Sequence, residues 1–209
     1  MDLESRFQEL WKRLDAAADA QGIYSRLMAA YAEPHRAYHT AEHIADCLAQ
    51  LDAAPRTPAD RTLVEAAIWF HDVVYDPRAA DNEAESAAWA TYILSGAGVA
   101  LPTIEAIRRL ILLTRHVEPA RDSTGGLLCD IDLSILVRSA AEFDEFERRI
   151  RAEYDWVPDR EYREGRARVL SRLLGWDPLY QTMYFRRRYE TPARNNLAAA
   201  IARLAEPVA

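Results

Sequence analysis

Apolar residues in this chain recur at helical spacing, as in Leu3, Phe7, Leu10, Trp11 and Leu14, which fall on one stripe of a 3.6-residue period. Runs that alternate apolar with polar residues are scarce. The pattern therefore points to an all-α chain, in which every helix must hide a stripe against its neighbours.

Prolines, glycines and capping residues divide this pattern into segments. A helix over "GIYSRLMAAYAE" should end before Pro34, because the residue preceding a proline is pushed out of the helical region. A loop carrying His35 and Arg36 follows, then a helix from about Thr40 to Ala53. Thr57 and Pro58 read as an N-cap and first helical position opening "ADRTLVEAAIWFHDVVYD", which would hold His71 and Asp72 within it. Further helices are expected over "NEAESAAWATYILS", stopped by Gly96 and Gly98, and over "PTIEAIRRLILLTRH", with His116 at its end.

A turn at Gly125 and Gly126 should precede "LLCDIDLSILV", and Ser139 with Glu142 forms a capping box for the helix that follows. "DREYREGRARVLSRLLG", "PLYQTMYFRRRYE" and "PARNNLAAAIARLAE" complete the pattern, the last with Thr191 before Pro192 as a second cap-and-proline start. The expectation is about nine to eleven helices in a single compact multi-helix bundle. At 209 residues the chain is long enough for one core and short for two.

The formal charge of -7, from 33 acidic and 26 basic residues, argues against a nucleic-acid duplex as partner, since that requires many cations against phosphate. A small anionic substrate is still compatible with it. No apolar run reaches the roughly 20 residues that cross a bilayer, and the start "MDLESRFQELWKRL" lacks a signal-peptide layout. The expectation is a soluble cytoplasmic protein, monomeric or homodimeric. Cys47 and Cys129 are too few for a disulfide framework and sit in apolar patterns, so both are expected as buried free thiols.

Chemistry is concentrated in three short stretches. "YHTAEHI" sets His39 and His43 four residues apart, so that a helix including both would project them from one face, about 6 Å apart. The same letters spell His-x-x-Glu-His, the arrangement of a zinc peptidase in which Glu42 would be the base. "IWFHDVV" places His71 and Asp72 among Ile68, Trp69, Phe70, Val73 and Val74, where a charged pair costs several kcal/mol unless paired or metal-bound. A buried ion pair is the simpler alternative. "CDIDLSIL" again sets acids, Asp130 and Asp132, in an apolar run. Together the three stretches supply imidazole and carboxylate donors from separate helices, a mixed N/O set suited to a divalent ion.

These stretches, with "RAYHTAEHI", "WFHDVVYDP", "DNEAESA" and the distal "YFRRRYETPARNNL", resemble the HD-domain superfamily of metal-dependent phosphohydrolases, closest to a group of small bacterial HD hydrolases. The resemblance covers about residues 22 to 200. It implies an all-helical fold and one divalent ion (Mn, Mg, Fe, Zn, Co or Ni) held by His43, His71, Asp72 and Asp132. It also implies hydrolysis of a nucleotide or other small phosphate ester by water activated at that ion.

Related cyclic-nucleotide phosphodiesterases share a Tyr-His-Asn-x-x-His pattern whose first histidine is the proton donor, a role that falls on His39, although Thr40 stands here in place of the Asn. Asp76 occupies the place of an acid used by HD enzymes that act on guanosine tetraphosphate, with Tyr75 where its partner Glu would be. Arg36 and His116 match positions that contact substrate phosphate in some HD proteins. Capping of a helix C-terminus is the alternative for His116. Glu42, Glu83 and Asp130 are expected behind the ligands, and Arg186, Arg187, Arg188 and Arg194 outside the catalytic set, paired with acids such as Glu190. Other enzymatic or binding readings carried by the resemblance are a di-iron oxygenase and a catalytically silent nucleotide-binding module.

Overall fold

A computed structural model describes residues 2–56 and 60–206. Ten α-helices and one 3-10 turn make up the regular structure, with no strand among the described residues. In order these are α1 (Leu3–Arg13), α2 (Ala20–Tyr31), α3 (Ala41–Ala53), α4 (Arg61–Phe70), α5 (Asn82–Gly96), α6 (Leu101–Leu113) and α7 (Ser123–Asp132). The 3-10 turn Leu133–Val137, α8 (Ala140–Glu153), α9 (Asp159–Leu174) and α10 (Met183–Ala205) follow. The all-α expectation is met, and the Ser139–Glu142 capping box forms as read from sequence.

The middle of the fold is α4. Every residue from Val64 to Phe70 is buried, as befits a segment that is apolar on all sides apart from Glu65. Helices α1, α3, α6 and α7 pack around it, α5 pairs with α6, and α9 pairs with α10. Glu65 is the one acid buried on α4, and Arg6 and Arg13 of α1 neutralise it at 3.0 and 2.7 Å. One continuous apolar cluster runs from Phe7 to Ala200, and Cys47 and Cys129 are buried free thiols.

Four boundaries differ from the sequence reading. The cap expected at Thr57 and Pro58 lies outside the described residues; α4 starts at Arg61, where the Asp60 carboxylate accepts from the N–H groups of Thr62 and Leu63. At its other end α4 stops at Phe70, with His71 as C-cap, so the His71–Asp72 pair occupies the helix exit and not its middle. There Tyr31 Oη donates to the Trp69 carbonyl, and the carbonyls of Asp72 and Val73 are taken by Arg36.

Gly125 and Gly126 belong to the first turn of α7. Closeness is what they provide: a Cβ at Gly125 would sit 2.6 Å from Leu113 Cδ1, and one at Gly126 3.1 Å from Gln181 Cβ. Finally, the two expected C-terminal helices are one, with Pro192 inside α10. The buried stripe of Phe185, Ala193, Leu197 and Ala200 runs across the proline. Glu190 also anchors the segment, accepting from the N–H groups of Leu179 and Tyr180 and from Arg194 Nε.

Candidate metal centre

His43 lies in the first turns of α3, His71 and Asp72 at the exit of α4, and Asp132 at the last residue of α7. Their donor atoms meet. His43 Nε2 is 3.2 Å from His71 Nε2 and 3.1 Å from Asp132 Oδ1. Asp72 Oδ2 is 3.0 Å from His71 Nε2 and 3.7 Å from His43 Nε2, and His71 Nε2 lies 3.5 Å from Asp132 Oδ1. Donors held about 2.0–2.2 Å from one ion sit roughly 3–3.6 Å from each other, so this spacing fits a shared ion. His43, His71 and Asp132 thus form a group that could hold a metal ion, with Asp72 against its edge.

The hydrogen bonding behind the ligands supports the same use. His71 Nδ1 donates to the Ile68 carbonyl at 3.0 Å, which leaves the Nε2 lone pair of the neutral ring facing the cluster, the orientation found for metal-bound imidazoles. Burial works against charge on Asp132, but His71 and hydrogen bonds from His116, His43 and His71 outweigh it and hold the carboxyl well below its usual range. Burial likewise opposes a charged His71, and Asp72 with Asp132 pushes its pKa well above the ordinary value. Two carboxylates therefore hold positive charge between them, as protons or as a cation that displaces protons.

His39 does not share a helix face with His43. It precedes α3, whose N-cap is Thr40, and its ring centroid lies 6.2 Å from that of His43. Its Nδ1 donates to Glu153 Oε2 at 2.7 Å, and Nε2 is the ring nitrogen left for the cavity that the ligands line. Burial opposes charge on this ring, and Glu153 and then Asp72 raise its pKa nonetheless.

Glu153 is the buried acid beside the cluster that the sequence reading missed. Its side chain is fully buried at the end of α8 and accepts from the N–H groups of Ala37, Tyr38 and His39, from His39 Nδ1 and from Tyr75 Oη. A signal was present: Phe143, Phe146, Ile150 and Glu153 form one buried stripe, so an acid occupies an apolar register.

Other expected site residues are placed elsewhere. Arg36, expected on substrate phosphate, has a side chain with 0% exposure. It donates to the carbonyls of His39, Asp72 and Val73 and to Glu33 Oε2, and its guanidinium lies 5.4 Å from the ring centroids of Tyr31 and Tyr75. It ties the His39 loop to the Asp72 loop. Lysine has no fork to reach these acceptors, so Arg36→Lys is expected to cost about 2–4 kcal/mol of unfolding free energy, read from the denaturant midpoint. A phosphate-contact role would instead raise KM with stability unchanged.

His116, expected on phosphate, uses Nε2 on Asp132 Oδ2 at 2.8 Å, and so stands behind a ligand with its pKa pushed up to about 10 against the effect of burial. It lies beyond α6 in a left-handed conformation (φ 48°) and lines the cavity. Asp76 is exposed and not among the cavity-lining residues; its carboxylate accepts from Arg78 N–H, while Asn82 bonds both its N–H and its carbonyl. Glu42 is 76% exposed and pairs with Arg149 at 2.8 Å, away from the ligands. Glu83 lies in the cavity wall, 3.8 Å from Arg115, and not behind a ligand histidine.

Asp130 is 1% exposed and accepts from the N–H groups of Gln181 and Thr182 and from Thr182 Oγ1; burial raises its pKa to about 6. It clamps the 178–182 loop, and Asp132 is the acid of the two that meets His43 and His71. Among the distal arginines, Arg194 pairs with Glu190 as expected, and Arg186 donates to the carbonyls of Tyr180 and Gln181.

Two sequence motifs acquire a physical explanation here. In "DNEAESA", Asn82 and Ser86 fasten the chain from Val74 to Asp76 onto α5. In the distal motif, Asn196 donates to the carbonyls of Leu136 and Arg138, fixing the 3-10 turn that follows Asp132.

No family model matches the chain, and neither a curated protein nor a solved structure matches it. No helix is long and apolar enough to cross a membrane among the described residues.

Proposed function

We propose that this chain is a metal-dependent phosphohydrolase of the HD type, acting on a small phosphate ester. The observation that carries the reading is the presence in one cavity of a mixed imidazole–carboxylate cluster and a separate histidine, His39, whose far nitrogen is held by a buried carboxylate. An ion held by His43, His71, Asp72 and Asp132 would polarise a phosphoryl oxygen and make water a nucleophile near neutral pH. His39, kept protonated by Glu153, gives its Nε2 proton to the leaving oxygen as the P–O bond breaks, so the departing group leaves as an alcohol. Asp132 is held by His116 through Oδ2, which frees Oδ1 for the ion. The peptidase alternative draws no support from Glu42, whose carboxylate is turned to Arg149.

The test is to strip the protein with a chelator, reload it with Mn, Mg, Fe, Zn, Co or Ni, count metal per chain, and assay nucleotides and generic phosphate esters. One ion per chain with restored hydrolysis is expected. Metal-loaded protein inert to every ester, or two irons per chain with an oxygen-dependent activity, would overturn the reading.

The role of His39 has its own signature. His39→Gln should lower kcat about a hundredfold on alkyl phosphates, whose leaving oxygen needs a proton. On p-nitrophenyl phosphate, whose leaving group departs as an anion, the loss should be small, with metal content unchanged. Equal losses on both esters would remove His39 from the proton-donor role.

A further inference from the structure

The cavity above the ligands is about 330 Å³, near the lower end of the roughly 300–1,000 Å³ typical of small-molecule sites. It has two unlike sides. His39, His43, Asp72, His116 and Asp132 gather on one, α8, α9 and the 3-10 turn form the other, and Tyr75, Asn82, Glu83, Thr114, Arg115 and Tyr154 also line it. From α8 and α9 the residues that face it are Phe146, Ile150, Val169, Leu170 and Leu173, together with Arg166 and Arg172.

Arg166 spends one edge of its guanidinium within the protein. Both of its bonding nitrogens are on Glu147, at 3.1 and 2.6 Å, and its guanidinium lies 5.3 Å from the Phe146 ring centroid. From His39 the wall continues without a break: Tyr38 meets the His39 ring at 5.1 Å and the Phe146 ring at 4.6 Å. Val169, 37% exposed, extends the apolar surface outward.

We infer that the alcohol portion of the substrate is compact and apolar, an aryl or branched alkyl group lying against Phe146, Ile150, Val169 and Leu173, and not a nucleoside. This rests on the phosphohydrolase reading for its chemistry and goes beyond it in choosing the ester. A leaving oxygen aimed at His39 carries its substituent toward this wall. A nucleobase laid on Phe146, Ile150, Val169 and Leu173 would bring several polar edge atoms against four side chains that cannot pair with them, and the Arg166 and Arg172 guanidiniums beside these offer donors but no acceptor for the base's own N–H groups. An aryl or branched alkyl body has none to lose. The volume admits one such body plus a phosphoryl group.

Binding tests this independently of turnover. The full-length, metal-loaded protein is titrated by calorimetry with methylphosphonate, benzylphosphonate and a nucleoside phosphonate, none of which can be hydrolysed. Benzylphosphonate is expected to bind at least about tenfold tighter than methylphosphonate, and the nucleoside phosphonate weaker than benzylphosphonate. Val169→Asn, at a position open enough to spare the core, should shrink the benzyl-to-methyl ratio severalfold. Tyr92→Ser, at a 73%-exposed position outside the cavity, should leave the ratio unchanged. A ratio near one, a preference for the nucleoside, or no phosphonate binding at all overturns the inference.

Parallel turnover of phenyl phosphate and a nucleoside monophosphate separates the two readings. Hydrolysis of both without preference overturns the apolar site and keeps the phosphohydrolase. Benzyl selectivity in binding with no ester hydrolysed does the reverse.

Discussion

Asp132→Ala is expected to strip the bound ion and lower phosphate-ester hydrolysis by at least about a thousandfold. Among the described residues no other side chain touches all three imidazoles: Asp132 lies 3.1 Å from His43, 3.5 Å from His71 and 2.8 Å from His116. Removing it takes away a ligand and also the counter-charge that holds the rings in place. Because opening a buried charged cluster also destabilises the fold by about 3–5 kcal/mol, circular dichroism should accompany elemental analysis for metal.

Asp132→Asn, which preserves shape and one acceptor for His116, should fold more stably yet still lose the ion. Asp130→Ala is the contrasting variant. It releases the loop at Gln181 and Thr182 and lowers stability, while the folded fraction keeps its metal. A folded Asp132→Asn protein with one ion per chain and undiminished turnover would falsify the assignment.

Glu153→Ala should produce the second largest effect, a stability loss of about 3–5 kcal/mol, since it orphans three backbone N–H groups, a charged ring and a tyrosine hydroxyl together. Glu153→Gln is the more informative variant. It retains an acceptor for the backbone but turns an N–H group where His39 Nδ1 requires an oxygen. Turnover of alkyl phosphates should fall about as far as in His39→Gln, with metal content and p-nitrophenyl phosphate hydrolysis nearly intact. A variant that lost all esters equally would reduce Glu153 to a structural role.

The same carboxylate has a pH signature. Burial opposes its charge, but the hydrogen bond and charge of His39 and the backbone donors hold its pKa down to about 2, below the ordinary 4.5. A depressed folded pKa means the stabilisation is complete above the unfolded value and disappears as pH falls through the folded one. The stability difference between the wild-type protein and Glu153→Gln, followed by denaturant titration, should therefore be greatest between about pH 5 and the ordinary histidine value of 6.5, shrinking toward pH 2 and shrinking again as pH rises through the raised pKa of His39.

Periodicity made the helices legible, because a packed helix writes its buried stripe directly into sequence spacing. It did not place the exit of α4. That exit depends on Arg36 and Tyr31 capturing carbonyls from another part of the chain, which no local pattern records. Pro192 misled for a related reason: burial along α10 carries the helix through a residue that locally favours a start.

His71, Asp72, Asp130 and Asp132 stood out as charged groups inside apolar runs, whereas the choice of His43 as a ligand candidate, and of Asp132 over Asp130, came from the family resemblance. Arg36 and Glu42 were read as site residues from their neighbours in sequence. In space one is consumed by backbone carbonyls and the other faces solvent and Arg149. Glu153 was hidden by the reverse circumstance: an acid in the charged run "EFDEFERRIRAEY" looks like surface until its register on the buried stripe is counted.

The bond from His39 to Glu153 joins residues 114 apart, whereas the ligand cluster is complete in sequence by Asp132. On a ribosome, every ligand side chain is therefore synthesised before the carboxylate that arms the histidine. A nascent or truncated chain ending before α8 would carry the cluster residues without the acid partner, and with the N–H groups of Ala37, Tyr38 and His39 lacking their acceptor. On the proposed function, capture of an ion and protonation of a leaving group would thus draw on side chains made at different times, the second waiting on the last third of the chain.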